Sequence, residues 1–125
     1  MTDHSTALLV ATMDTKGREA LFIADCIRKE GIPVLIMDAG IRGTCETPVD
    51  ITRQQVAQAG GIPLKEVQNI GHEGEALKVM TAGAVKCARD LYDQGKIQGV
   101  IGLGGSMGTT LGTAVMRNLA IAFPR

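Results

Sequence analysis

The chain has 125 residues, and its 13 basic and 13 acidic side chains leave no formal net charge. That length suits one domain, and a hydrophobic share of 45% supports a real core rather than an unfolded tail. The balanced charge supplies no positive field to gather nucleic acid or an anionic membrane, so neither is expected as a partner; no apolar run approaches the ~20 residues that span a bilayer.

Thr6 to Thr12, TALLVAT, is a short continuous apolar run and predicts a strand buried on both faces. MDTKGRE follows as a polar loop, in which Asp14 and Thr15 are helix-capping types. From Glu19 to Lys29, the residues Ala20, Ile23, Ala24 and Ile27 recur at helical spacing, and Gly31 stops the helix. Pro33 to Ala39 predicts a second buried strand, with Asp38 near its end. Strand, helix and strand in about 30 residues form a βαβ unit with parallel strands.

Thr52-Arg53-Gln54-Gln55 fits a capping box, so a short helix is expected to Ala59 before Gly60-Gly61-Ile62-Pro63 ends it. Leu64 to Gly71 reads either way. His72 to Gln94 predicts a long helix whose Leu77, Met80, Ala84, Ala88 and Leu91 share a face; Gly83 within it leaves room for another backbone. Lys96 to Leu103 predicts a third strand, Gly104 to Thr110 a loop opening a helix through Arg117, and Leu119 to Phe123 a further strand.

Cys26, Cys45 and Cys87 are odd in number and show no CxxC spacing. A reducing, cytoplasmic setting is expected, with neither a structural disulfide nor a zinc site. Cys26 and Cys87 fall in helical patterns, where a buried thiol acts as a small hydrophobe. The start, MTDHST, lacks a basic segment followed by an apolar one, as a secretory signal would have.

The alternation of elements predicts an α/β fold: a doubly wound parallel sheet, Rossmann-like or flavodoxin-like, with helices on both faces. The expected order sets strand 1 beside strand 3, with strand 2 on the outer side. Connections from strands 1 and 3 then leave in opposite directions, and ligands bind at such a switch point, outside the carboxyl ends of the strands. Two loops flank it, Thr12 to Glu19 and Gly102 to Thr110.

GLGGSMGTT, Gly102 to Thr110, carries the clearest chemistry. Gly104, Gly105 and Gly108 let backbone N–H groups face one point, the helix that follows adds about half a positive charge, and Ser106, Thr109 and Thr110 add hydroxyls. Such a cradle suits a phosphate or carboxylate. It is neither a Walker A loop, lacking GK[ST], nor GxGxxG, since Met107 stands at the third glycine. A tight turn without ligand is the alternative. Across the crevice, Thr12, Asp14, Thr15 and Lys16 crowd the end of strand 1. Lys16 is the cation the glycine loop lacks, and Asp14 suits Mg²⁺ beside phosphates; capping alone accounts equally for Asp14. Asp38 occupies the place where dinucleotide folds bind ribose hydroxyls. His72, Glu73 and Glu75 read as the start of a helix rather than a metal site, because the only other histidine is His4. No catalytic set is visible.

ATMDTKGRE, PVLIMDAGIRG, GHEGEALKVMTAGA and VIGLGGSMGTTLGTAVMRNL together resemble the ATP-binding domain family typified by the tomato mosaic virus resistance protein. The likeness runs along nearly the whole chain and is most specific around Asp14-Thr15-Lys16 and Gly104-Gly105-Ser106. It implies that the chain is the N-terminal domain of a protein about three times as long, partnered by a barrel-like C-terminal domain. It further implies ATP as ligand and a homodimer. The departure is Met107, where the family commonly has small residues. GGSMGTT also loosely resembles the GGDGT loop of lipid, sugar and NAD kinases, with Ser106 in place of the aspartate. A phosphotransfer domain, or a dimerisation module with no ligand, are the alternatives to a nucleotide-binding domain.

Overall fold

The computed structural model describes residues 6–41, 43 and 47–103. The strands β1 (Ala7–Ala11), β2 (Val34–Asp38) and β3 (Gly99–Leu103) form one parallel sheet in the order β2-β1-β3. This is the expected α/β architecture with β1 central. Apolar runs without alternation, as in ALLVA, suit strands covered on both faces. All five residues of β1 are buried. The expected helix and strand beyond Gly104 lie outside the described residues.

Helix α1 (Met13–Lys29) covers one face, where Leu9, Ala11, Val34 and Ile36 of the sheet meet Met13, Ala20 and Ala24. Helices α2 (Arg53–Ala59), α3 (Leu64–Gln68) and α4 (Glu73–Asp93) lie on the other, around Leu8, Val10, Met37, Val56, Met80, Ala84 and Val100. Alternate strand residues thus feed separate cores, as a period of two requires. With aromatics at 2% of the chain, Leu8, Leu9, Met37, Met80 and Ile97 are among the largest side chains that are fully buried. Burying one such chain stabilises the fold by about 1.5–3 kcal/mol.

Several expected boundaries hold. Thr52 opens α2 through a capping box with Gln55, Gly31 (φ 85°) follows α1, and Gly95 (φ 73°) follows α4. The ambiguous stretch after Pro63 contains the five-residue α3. Two readings are corrected. The stretch from Met13 to Glu19 is the start of α1 rather than a loop, broken by one non-helical residue, Lys16 (φ −119°, ψ 19°). Cys26 is exposed, not an interior thiol. Among the described residues no helix is long and apolar enough to cross a membrane.

The outer edge of β2 is covered by the segment entering α2. Ile51 forms a parallel bridge with Met37, Asp38 N–H donates to Ile51 O at 3.0 Å, and Asp50 Oδ2 accepts from Ile36 N–H at 2.8 Å. Helices α2 and α4 then approach until no side chain fits between them. A Cβ on Gly83 would overlap the carbonyl of Val56, and one on Gly60 the carbonyl of Val79.

Gly83→Ala is therefore expected to lower stability by about 1–3 kcal/mol, although alanine is the better helix former. Gly74→Ala in the same helix, with nothing within 4 Å of the new methyl, is expected to raise it by up to about 1 kcal/mol. Thermal melting of the two variants separates close packing from propensity. Burial, reinforced by Asp90, pushes the Cys87 thiol up from its ordinary range. Alkylation at neutral pH, mapped by mass spectrometry, should modify Cys26 before Cys87.

Candidate functional site

The three strands end level with one another. Ala11 is the register partner of Asp38 on one side and of Leu103 on the other. Thr12 follows Ala11 directly, and the glycine-rich stretch follows Leu103 directly. The strand order matches the expectation, with β1 flanked by β2 and β3 at the carboxyl edge; the connection that leaves β3 lies outside the described residues. Gly104, Gly105, Ser106, Gly108, Thr109 and Thr110 themselves lie outside the described residues.

Thr12 is the N-cap of α1, with extended backbone angles and no capping hydrogen bond from its own side chain. Asp14 and Thr15 lie inside the first turn rather than before it. The cap is supplied from another strand: Asp38 Oδ1 accepts from the Met13 N–H at 3.2 Å. A carboxylate at this position is favoured by the positive end of the helix. Lys16, one residue beyond Thr15, keeps its N–H bonded to Thr12 O at 2.8 Å while leaving helical angles. Its side chain is partly exposed at the crevice end of α1.

Asp38 does more than cap. Its Oδ1 also accepts from the Gly40 N–H at 2.9 Å and lies 3.4 Å from Arg53 Nη2, while Oδ2 takes Arg53 Nε at 2.8 Å. The residue is 1% exposed. The expectation that Asp38 meets a ribose thus gives way to an internal role, because both oxygens are sealed against protein donors.

Arg53 is the residue that sequence reasoning passed over, having read it only as the interior of a capping box. It is 4% exposed. Its Nη1 donates to Gly43 O at 3.1 Å, and its Nη2 faces Asp14 Oδ1 at 3.5 Å. The planar fork thereby holds the end of β2, the 40–43 turn and the first turn of α1 together. A signal for it existed: a buried-strand pattern ending in aspartate demands a cation, and Arg53 is the first residue of the next helix. The spacing alone does not say which of the nearby basic residues returns.

Asp14 Oδ1 is shut off from water and has no hydrogen-bond donor among the described residues. Among the described residues, two carboxylates, Asp14 and Asp38, face one guanidinium, an excess of one negative charge. Glycine is required around it: a Cβ on Gly40 would stand 2.5 Å from Asp14 Oδ1 and 2.7 Å from Arg53 Nη2, and Gly43 has φ 67°. Among the described residues no group of three or more metal-binding side chains gathers. Beside the cluster, beyond the end of β2, a cavity of about 900 Å³ opens between the 47–49 segment, α2 and α3.

The family described as "Uncharacterised protein family (UPF0261) N-terminal domain" matches residues 5–125. A UPF0261 protein of Clostridium tetani is 34% identical over 118 residues, covering 94% of this chain and 29% of that protein. A UPF0261 protein of Brucella suis is 33% identical over 128 residues, covering all of this chain and 31% of that protein. One from Mesorhizobium japonicum is 35% identical over 117 residues, covering 94% and 28%. The chain spans less than a third of the length of these curated relatives.

Removing Arg53 strands two carboxylates, one of them fully buried. Arg53→Met is expected to cost about 3–5 kcal/mol. Arg53→Lys is expected to recover only part of that, since an ammonium cannot reproduce the fork on Asp38. Urea denaturation of both variants reads the difference.

Proposed function

This chain belongs to the UPF0261 family as its N-terminal domain, and we propose that the domain binds a nucleoside triphosphate, ATP, at the carboxyl edge of β1 and β3. The reading rests on one observation above all. Ala11 and Leu103 are paired neighbours, so the polar stretch Thr12 to Lys16 and the glycine-rich stretch Gly104 to Thr110 start from adjacent strand ends, at the carboxyl edge where α/β sheets bind ligands.

Backbone amides of Gly104, Gly105 and Gly108, with the hydroxyls of Ser106, Thr109 and Thr110, supply donors for phosphoryl oxygens in this proposal. Lys16 supplies the ammonium that a loop without GK[ST] lacks. The break in α1 at Lys16 favours this role, because it frees that residue from the helical direction of its neighbours.

Charge decides whether a metal accompanies the phosphates. The Asp14–Arg53–Asp38 cluster is negative by one, which repels a polyphosphate arriving alone. Mg²⁺ reverses that repulsion, and Mg²⁺ sites beside phosphates use one or two carboxylates; Asp14 is the less buried of the two here, its side chain 17% exposed against 1% for Asp38. Asp14 would hold the ion together with the phosphates. Asp38 takes no part in ligand binding here; it anchors Arg53 and thereby Asp14.

ATP with Mg²⁺ is expected to raise the melting temperature by about 10 °C at a hundredfold excess over Kd. Lys16→Ala and Gly104→Val should each reduce the shift, while neither should unfold the protein. An unchanged melting curve at millimolar ATP overturns the proposal.

A further inference from the structure

The cavity beyond β2 belongs to no role described so far. Pro48, Val49 and Leu64 give it apolar walls; Gln54 and Gln58 line one side and Lys65 the other. At about 900 Å³ it falls within the range of small-molecule sites, which combine apolar walls with a few polar groups. Arg53 also borders it, but its guanidinium is engaged by Asp38, Gly43 and Asp14. The cavity is therefore poorly suited to a second phosphate cluster.

Gln54 and Gln58 lie one helical turn apart on the exposed side of α2. Each amide carries one acceptor oxygen and two donor hydrogens. Such groups complement a planar ring that itself presents donors and acceptors, as glutamine does at the N6 and N7 edge of adenine. Position agrees with this chemistry. Strands lie about 4.8 Å apart, so the outer side of β2 is about 10 Å from the junction of β1 and β3. A nucleotide laid along the strand ends, with its phosphates at that junction, extends its base toward this cavity.

We infer that the cavity between the 47–49 segment, α2 and α3 holds the base of the bound nucleotide, with Gln54 and Gln58 reading its edge. This rests on the nucleotide-binding reading above and adds the side from which the base is selected.

Isothermal titration of the intact chain tests it, with Mg²⁺ and two probes, ATP and inorganic tripolyphosphate. The native chain should bind ATP about tenfold or more tightly than tripolyphosphate. Gln54→Leu combined with Gln58→Leu should remove that advantage and leave tripolyphosphate affinity unchanged. Both residues are exposed, so melting should match the native chain; should it not, Gln58→Glu, which keeps the side chain's size and loses its amide donors, takes its place with the same expectation of weakened ATP binding. Undiminished preference for ATP in the variant overturns the inference and leaves the nucleotide reading standing. Equal affinity of the native chain for the two probes does the same. Failure of both probes to bind overturns the nucleotide reading, and the base site falls with it.

Discussion

Asp38 ends β2 with a carboxylate that water cannot reach, and four protein N–H groups surround it. A buried charge of this kind is tolerated only when its lone pairs are occupied and an opposite charge lies close. Both conditions are met by groups far apart in the chain. Met13 comes from the start of α1, Gly40 from the turn after β2, and Arg53 from the start of α2. Three chain segments are thereby fixed around one side chain, all at the carboxyl edge of the sheet. The arrangement gives specificity of placement more surely than net stability, because desolvating the pair offsets much of its attraction.

Close backbone approach makes the arrangement possible. Gly40 and Gly43 stand where side chains would collide with Asp14 or Arg53, and Gly60 and Gly83 let α2 rest directly on α4. The parallel bridge between Met37 and Ile51 brings residue 53 level with the end of β2. Once α2 is held against α4 on one face and against β2 at its start, the guanidinium has little choice of position. A core poor in aromatics suits this design, since short aliphatic chains allow helices to lie close over the sheet.

The same edge carries the proposed chemistry. The Asp14–Arg53–Asp38 cluster and Lys16 lie at the carboxyl edge of the sheet, from which the glycine-rich stretch follows β3 in the chain. In the proposed reading, negative charge next to bound phosphates is unfavourable by itself and becomes favourable when a divalent cation bridges the two. In the proposed reading, the cavity beyond the end of β2 adds a site for the base to those for phosphates and metal. Each subsite draws on a different physical force: dipoles for phosphates, ionic attraction for a metal, and paired hydrogen bonds for a planar ring.

Much of the fold was legible in the residues alone. TALLVAT and PVLIMDA declare buried strands because unbroken apolar runs suit only sheets covered on both faces. The Thr52–Gln55 capping box and the glycines after α1 and α4 are local signals with local causes. Gly83 was readable as a point of close approach, since glycine inside a long helix costs stability unless its missing side chain is used. The start of α1 was not legible, because its cap is Asp38, a residue 25 positions away. The burial of Asp38 and the return of Arg53 were hidden for the same reason: periodicity describes neighbours three or four residues apart, whereas an ion pair spanning 15 positions depends on how β2, its bridge to Ile51 and α2 are folded together. Local pattern settled which elements form and in what order they lie. Tertiary structure alone decided which charges meet, because only packing brings together groups that share no turn of chain.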